Sequence, residues 1–341
     1  MKLSLPPLIL HYSLALTLPL SSLSTPTPIP QQNYPLSLIS EFPTPQTFEN
    51  IAVQSTGNLL LTSTTSPTLF QVSPFSNNNN NNKSTPIAQI PETQGLLGIV
   101  ELEENIFYIA SSNITTNGSV PGSNNIWRVD LRSVTDNSVE RGEVSLIANI
   151  PTAGTLNGMS RLSPYDSKTL LIADSINGQI LTLNVKTGSY SVFINDPILH
   201  NTPSGLQVAV DGIHVHDEWL FFTNLNQGIF GRFPLSLTND SVVGPAEVIV
   251  SNTPGDDFVV SGGGNRAWIA MNGHGMVVEV DILKRESRVV VQSGYLEAAA
   301  AVAVGRTRFD ESSLYVASGG IVGNGSVEEG IVARIDLPYQ M

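Results

Sequence analysis

From residue 36 onward the chain alternates between short apolar runs and clusters of turn residues, and the runs recur in a fixed order. One strand type occurs six times: NLLLTST (58–64), NIFYIASS (105–112), TLLIADSI (169–176), WLFFTNLN (219–226), RAWIAMNG (266–273) and SLYVASGG (313–320). Each is an apolar burst that closes on small or polar residues. A second type follows each one: TLFQVSP (68–74), NIWRVDL (125–131), QILTLNV (179–185), GIFGRFPL (228–235), MVVEVDI (276–282) and IVARIDL (331–337). Turn residues separate them, among them SP (66–67), NG (177–178), NQG (226–228) and NGHG (272–275), so each pair reads as a hairpin.

A third strand precedes every hairpin: ENIAV (49–53), LGIVEL (97–102), NGMSRL (157–162), DGIHV (211–215), DDFVV (256–260) and AAVAVG (300–305). VSLIANI (144–150), YSVFIN (190–195), AEVIVS (246–251) and SRVVVQS (287–293) read as fourth strands. Six units of about 45–60 residues, each with three or four strands, predict an all-β fold, a six-bladed β-propeller forming one domain over 36–341. LSLISEF (36–42) is expected to complete the last blade and close the ring. A stack of sandwiches or a β-solenoid is the competing architecture; the match of the units at three strand positions in the same order favours the propeller.

In a propeller the first strand of each blade lines the central channel, so a phrase repeated there forms a ring at one mouth. LNGM (156–159) and VDGI (210–213) are such a phrase. The ring comprises Glu49, Asn50, Gly98, Asn157, Asp211, Asp256, Asp257 and the alanines Ala298 to Ala301. Oxygen-bearing side chains therefore converge from blades one, three, four and five, and place a ligand site at one end of the channel. Asn-Gly and Asp-Gly suit a tight turn equally well, but Glu49 has no turn to make. Clustered carboxylates split their pKa values, so Glu49, Asp211 and Asp257 can divide acid and base roles, with Asn157 orienting an oxygen. Leu97, Met159, Phe258 and Tyr295 are the expected apolar substrate contacts. The alanines leave room there, or simply pack as strand. His214 and His216 alternate in a strand, one in and one out, and read as structural; His274 lies in a turn. No G-x-S-x-G elbow is present, and SGGGN (261–265) precedes no helix, so neither a serine hydrolase nor a phosphate cradle is supported.

Composition narrows the partners. The net charge of −13 repels phosphate, which argues against nucleic acid and anionic membranes. Residues 1–24 read as a secretory signal peptide: Lys2, an apolar stretch broken by Pro6 and Pro7, and small residues at Ser22 and Ser24. Residues 25–35 form a Pro-rich leader, and 76–84 an Asn-rich loop expected to be disordered. Sequons at Asn82, Asn113, Asn117, Asn239 and Asn324 agree with a secreted glycoprotein. The absence of cysteine excludes disulfides, thiolate catalysis and Cys-ligated metals.

The stretches ENIAVQSTGNLLLT, LNGMSRLSPYDSKTLLIADSINGQI, DGIHVHDEWLFFTN and VAVGRTRFDESSLYVASGG resemble the SMP-30/gluconolactonase/LRE-like propellers, fungal members in particular. That resemblance implies a divalent cation on the axis, usually calcium, with Glu49, Asn157 and Asp211 at the metal-ligand positions, and a calcium-dependent lactone hydrolase. Gly98, after Leu97, stands where those lactonases use a side chain to help hold substrate. A narrower resemblance rests on the ENIAV…LNGM…GRT set together with length, signal and low charge. It is to the hetero-Diels–Alderases of tropolone-sesquiterpene pathways. It implies a pericyclase of fungal secondary metabolism that needs no cofactor and acts on small apolar polyketide and terpenoid substrates. The hydroxymethyl tropolone would be dehydrated to a quinone methide, which a humulene-type alkene then captures. A secreted binding propeller without catalysis is the third reading, since a fold alone does not set function.

Overall fold

The computed structural model describes residues 33–43, 45–75, 84–115, 118–134, 141–319 and 329–338. The predicted signal peptide, the leader as far as residue 32, residues 76–83 of the Asn-rich loop, and the sequons at Asn82, Asn117 and Asn324 lie outside them. Of the remaining sequons, Asn239 is exposed in a turn, and Asn113 is half-buried with its side-chain oxygen accepting the Gln94 N–H.

Among the described residues six antiparallel sheets of four or five strands form the blades, and a small two-stranded sheet pairs Ile114–Thr115 with Gly118–Ser119. The first strands of the blades are Ile51–Val53, Gly95–Glu103, Leu156–Arg161, Val210–His216, Phe258–Val260 and Ala299–Val304. Each first strand contacts those of both neighbouring blades, blade six meeting blade one, so the ring is closed around an axis. Leu36–Phe42 pairs antiparallel with Gly330–Asp336 and forms the outer strand of blade six, as its apolar pattern predicts. Blade one has an outer strand, Ser84–Gln89, that the sequence reading passed over. Pro86 interrupts its pattern, and a proline that cannot donate to a ladder is tolerated on such an edge.

Six apolar clusters hold the blades together, each wedged between two adjacent blades. One joins blades two and three through residues such as Tyr108, Leu156 and Ile172. Another joins blades four and five through Phe221, Phe230, Phe258 and Ile269. A strand sandwiched between two wedges buries both faces. This is why the second strands read as nearly unbroken apolar runs instead of strict alternation; all of Ile106–Ser112 is buried.

The repeated phrase does not make a turn. Asn157-Gly158 and Asp211-Gly212 lie within first strands, where the register to the second strand skips, between Leu156 and Met159 and between Val210 and Ile213. Leu97-Gly98 sits in the corresponding skip of blade two. Such a bulge bends the strand and re-aims its side chains toward the axis. Glycine is required because the first strands crowd together there: a β-carbon on Gly98 would collide with the Asn157 carbonyl, one on Gly158 with the Asp211 carbonyl, and one on Gly212 with the Asp257 carboxylate.

Candidate functional site

The bulges and strand starts aim two tiers of polar side chains at the axis. Glu49 and Asp256 occupy equivalent places, because each donates its N–H to a second-strand carbonyl, Thr62 at 3.1 Å and Ala270 at 2.9 Å. The hydroxyls of Thr62 and Thr223, at the ends of second strands, donate to the carbonyls of Leu97 and Asp256, both at 2.6 Å. Leu97 therefore holds in blade two the place that Asp256 holds in blade five. The upper tier is Glu49, Asn157, Asp211 and Asp256. In the lower tier Asn50 Nδ2 donates to Asp257 Oδ2 at 2.8 Å, and His214 Nε2 lies 3.1 Å from Asp257 Oδ1.

Asn157 is the hub of the upper tier. Its side-chain nitrogen donates to Asp211 Oδ1, and it also hydrogen-bonds Glu49. Asp211 shares a further hydrogen bond with Asp256, which accepts from Asn272 Nδ2 at 2.9 Å. Ser175 Oγ lies 3.5 Å from Asp211 Oδ1. Asn157 and Asp211 thus touch directly, instead of facing one another across open space.

Three carboxyls packed this closely cannot all ionise at ordinary pH. Burial raises the Glu49 pKa to about 7 against the opposing hydrogen bond from Asn157, and the Asp257 charge raises it further. Burial first, then the Glu49 and Asp257 charges, holds Asp211 well above the usual carboxylate range. Burial, then Asp211 and Glu49, does the same to Asp256. The upper tier therefore stores protons near neutral pH, the property a general acid needs.

Two cavities flank the tiers. The upper one, about 510 Å³, opens where the first strands begin and is lined by Asn157, Ser175, Thr155 and Gln207 with Ile176, Leu206 and Val208 as its apolar wall. The lower one, about 400 Å³, runs along the later halves of the first strands; Asn50, Asp257 and His214 line it.

The expected apolar contacts are placed differently. Leu97 and Met159 pack in the wedge between blades two and three, with Met159 also reaching the lower cavity. Phe258 is fully buried between blades four and five, edge-on to Phe230 and to the His214 ring. Strand alternation turns Met159 and Phe258 into the wedges beside the polar tier, whereas Leu97 holds a tier place with an apolar side chain that packs onto the wedge. Tyr295 is half-exposed on the short helical turn Gly294–Leu296 between blades five and six. Ala299 to Ala301 are buried first-strand residues, and the Ala300 carbonyl accepts the Asp257 N–H at 2.9 Å. His214 faces the axis, while His216 points away toward Asp217 and His274 is exposed in its turn. Ser175, Asn272 and the wall residues Ile176 and Leu206 were missed from sequence. The signal for the first two was present, since each follows a second strand as it returns to the mouth.

Glu49, Asn157 and Asp211 offer hard oxygen donors of the kind calcium takes. In the observed arrangement, however, the Asn157 amide turns its N–H toward Asp211, so it would have to reorient before its oxygen could bind a cation. Among the described residues no group of three or more His, Asp or Glu side chains is arranged to hold a metal ion.

No protein-family model matches the chain. It is 29% identical over 331 residues to a protein of Phoma sp that carries the provisional name hetero-Diels-Alderase, covering 86% of this chain and 90% of that protein. A second protein with that provisional name, from Sarocladium schorii, is 25% identical over 227 residues, covering 61% of this chain and 54% of its own length. Among solved structures, regucalcin of Agrobacterium tumefaciens, described as a calcium-binding protein, superimposes with a TM-score of 0.62 at 15% identity, covering 92% of this chain and 99% of that one. A luciferin-regenerating enzyme gives a TM-score of 0.62 at 13% identity, over 89% and 95% of the two chains. These two structures are alike in fold.

Proposed function

We propose that this protein is a hetero-Diels–Alderase whose acidic tier dehydrates a hydroxymethyl tropolone and whose upper cavity holds the resulting quinone methide against a humulene-type alkene. The observation that carries the reading is a tier of carboxyls with raised pKa values, linked through Asn157 and Ser175 to a cavity with an apolar wall; the names of the two relatives point the same way. In the first step the C–O bond of the hydroxymethyl group breaks. Glu49 or Asp211 gives a proton to the departing hydroxyl, the tropolone O–H gives one back to the tier, and water leaves. Asn157 orients the tropolone oxygen. In the second step the methide carbon and that oxygen each bond to one alkene carbon, closing a dihydropyran. No electrons are lost or gained, so the sequence needs no redox cofactor. Positioning is the main service in this step, because the cycloaddition requires two apolar partners held at bonding distance in one orientation.

Purified protein incubated with a hydroxymethyl tropolone and a humulene-type alkene should form one dihydropyran stereoisomer faster than a protein-free control. Chiral chromatography reads both rate and ratio; a ratio and rate equal to the control would refute the proposal. Convergence of Glu49, Asn157 and Asp211 supports a second reading, calcium-dependent lactone hydrolysis. Gluconolactone hydrolysis that is abolished by EDTA and restored by calcium would favour it over the cycloaddition.

A further inference from the structure

We infer that the lower opening of the channel is a second ligand site, separate from the acidic tier, which takes a small organic anion: a carboxylate on a compact apolar body. The lower cavity has the dimensions of a small-molecule pocket, at about 400 Å³. Apolar side chains, Ala52, Val100 and Val259 among them, make up much of its wall beside the Asn50, Asp257 and His214 set. At its outer rim stand two guanidinium groups, Arg161 and Arg306, at the ends of the first strands of blades three and six.

These arginines share a single counter-charge. Arg306 Nη1 donates to Glu101 Oε2 and, at 2.7 Å, to the Val53 carbonyl. Arg161 Nη2 donates at 2.7 Å to the backbone carbonyl of the same Glu101, not to its carboxylate. The other Glu101 oxygen is already occupied by the Asn105 N–H at 2.8 Å. Nε and the remaining terminal nitrogen of each arginine have no protein partner among the described residues, in a protein with net charge −13 and only 16 Lys and Arg. Desolvation acts against the charge on Arg161, and the nearby Arg306 charge adds to that. A carboxylate seated between them would relieve both effects and engage planar donors suited to it. Deeper in, the Ser160 hydroxyl is used within its own blade and with Val215, and Asp257 is taken by Asn50 and His214. The charged end of a ligand therefore belongs at the rim and the apolar body inside.

Cinnamate and its neutral amide, cinnamamide, test this on the full-length protein by titration calorimetry. Cinnamate should bind at least about tenfold more tightly than the amide, as charge-assisted hydrogen bonds predict, and added salt should weaken it. Combining Arg161→Gln with Arg306→Gln should remove that preference. Leu206→Ser, in the wall of the upper cavity, should leave it intact. Equal binding of acid and amide, no cinnamate binding at about 10 mM, survival of the preference in the double variant, or its loss in Leu206→Ser would each overturn the assignment. If thermal unfolding shows the double variant to be misfolded, the comparison of acid with amide on the unaltered protein still decides.

Discussion

Replacing Glu49 by Gln tests the electrostatic heart of the site without changing its shape. The Glu49 pKa is about 7 in the folded chain, against an ordinary 4.5. At about 1.4 kcal/mol per pKa unit, that difference corresponds to about 3 kcal/mol. The sign follows from which state holds the proton. Below pH 4.5 Glu49 is protonated both folded and unfolded, and its full contribution to stability is present. Between 4.5 and about 7 the unfolded chain ionises first, so the folded state loses stability as pH rises; above 7 the loss is complete. Glu49→Gln cannot ionise, so it should match the unaltered protein near pH 4.5 and exceed it at pH 8 by up to about 3 kcal/mol. About 1 kcal/mol of that can be lost if the hydrogen bond from Asn157 is not remade. Because the Glu49 charge also raises Asp211 and Asp256, its removal should ease their ionisation and add to the gain. Urea unfolding at fixed pH values from 4.5 to 8, with EDTA throughout, measures the difference between the two proteins. A difference that stays flat across this range would refute the assignment of a raised pKa to Glu49. The same substitution should make the protein more stable at pH 8 and, on the proposed acid role of Glu49, less active at about pH 6, where the unaltered carboxyl still holds its proton.

Asp211→Asn should slow product formation by about 10²–10⁴-fold, whereas Asn157→Ala should lower the rate less and erode stereoselectivity, as read from initial rates and product ratios. Gly212→Ala should destabilise the protein by about 1–3 kcal/mol, since its β-carbon would press on the Asp257 carboxylate and lie 2.9 Å from the Asp257 α-carbon; an unchanged midpoint in urea would contradict the close-packed bulge. Protein expressed in a fungal host should begin near Thr25 and carry sugar on at least two of the five sequons, which intact-mass measurement reads directly.

The blades were legible because each strand type has its own place in the wedge packing, and that place leaves a repeated apolar signature. The strand at 84–89 was obscured by Pro86 and by its position on an edge, where only one neighbour constrains composition. The acidic tier was legible in part: Glu49, Asn157, Asp211 and Asp256 follow from counting back along the first strands. Their partners were harder. The contact between Asn157 and Asp211 depends on two bulges that bring neighbouring blades unusually close, and Asn-Gly or Asp-Gly reads as a turn when the bulge is not seen. The apolar contacts failed to line the mouth for a related reason. Phe258 has the right place in the chain, but the bulge and pleat turn it into a wedge; Leu97 packs onto the next wedge from a tier place, and the wall of the upper cavity comes from connecting segments with no repeat to betray them.

The clasp in blade six sets the order in which this molecule can be made. Leu36 pairs with Ile335 and Phe42 with Gly330, so one strand waits for a partner synthesised far downstream of it. The sheets of the earlier blades pair only strands close in the chain and can form as they emerge. The last cannot, and contacts of such long sequence separation are slow to find. During that interval both margins of the unfinished ring present unpaired backbone, an invitation to pair with another chain. Without cysteine no covalent lock can secure the circle afterwards. Register and apolar packing at a single seam therefore decide whether the nascent polypeptide becomes a closed ring or an open, aggregation-prone arc.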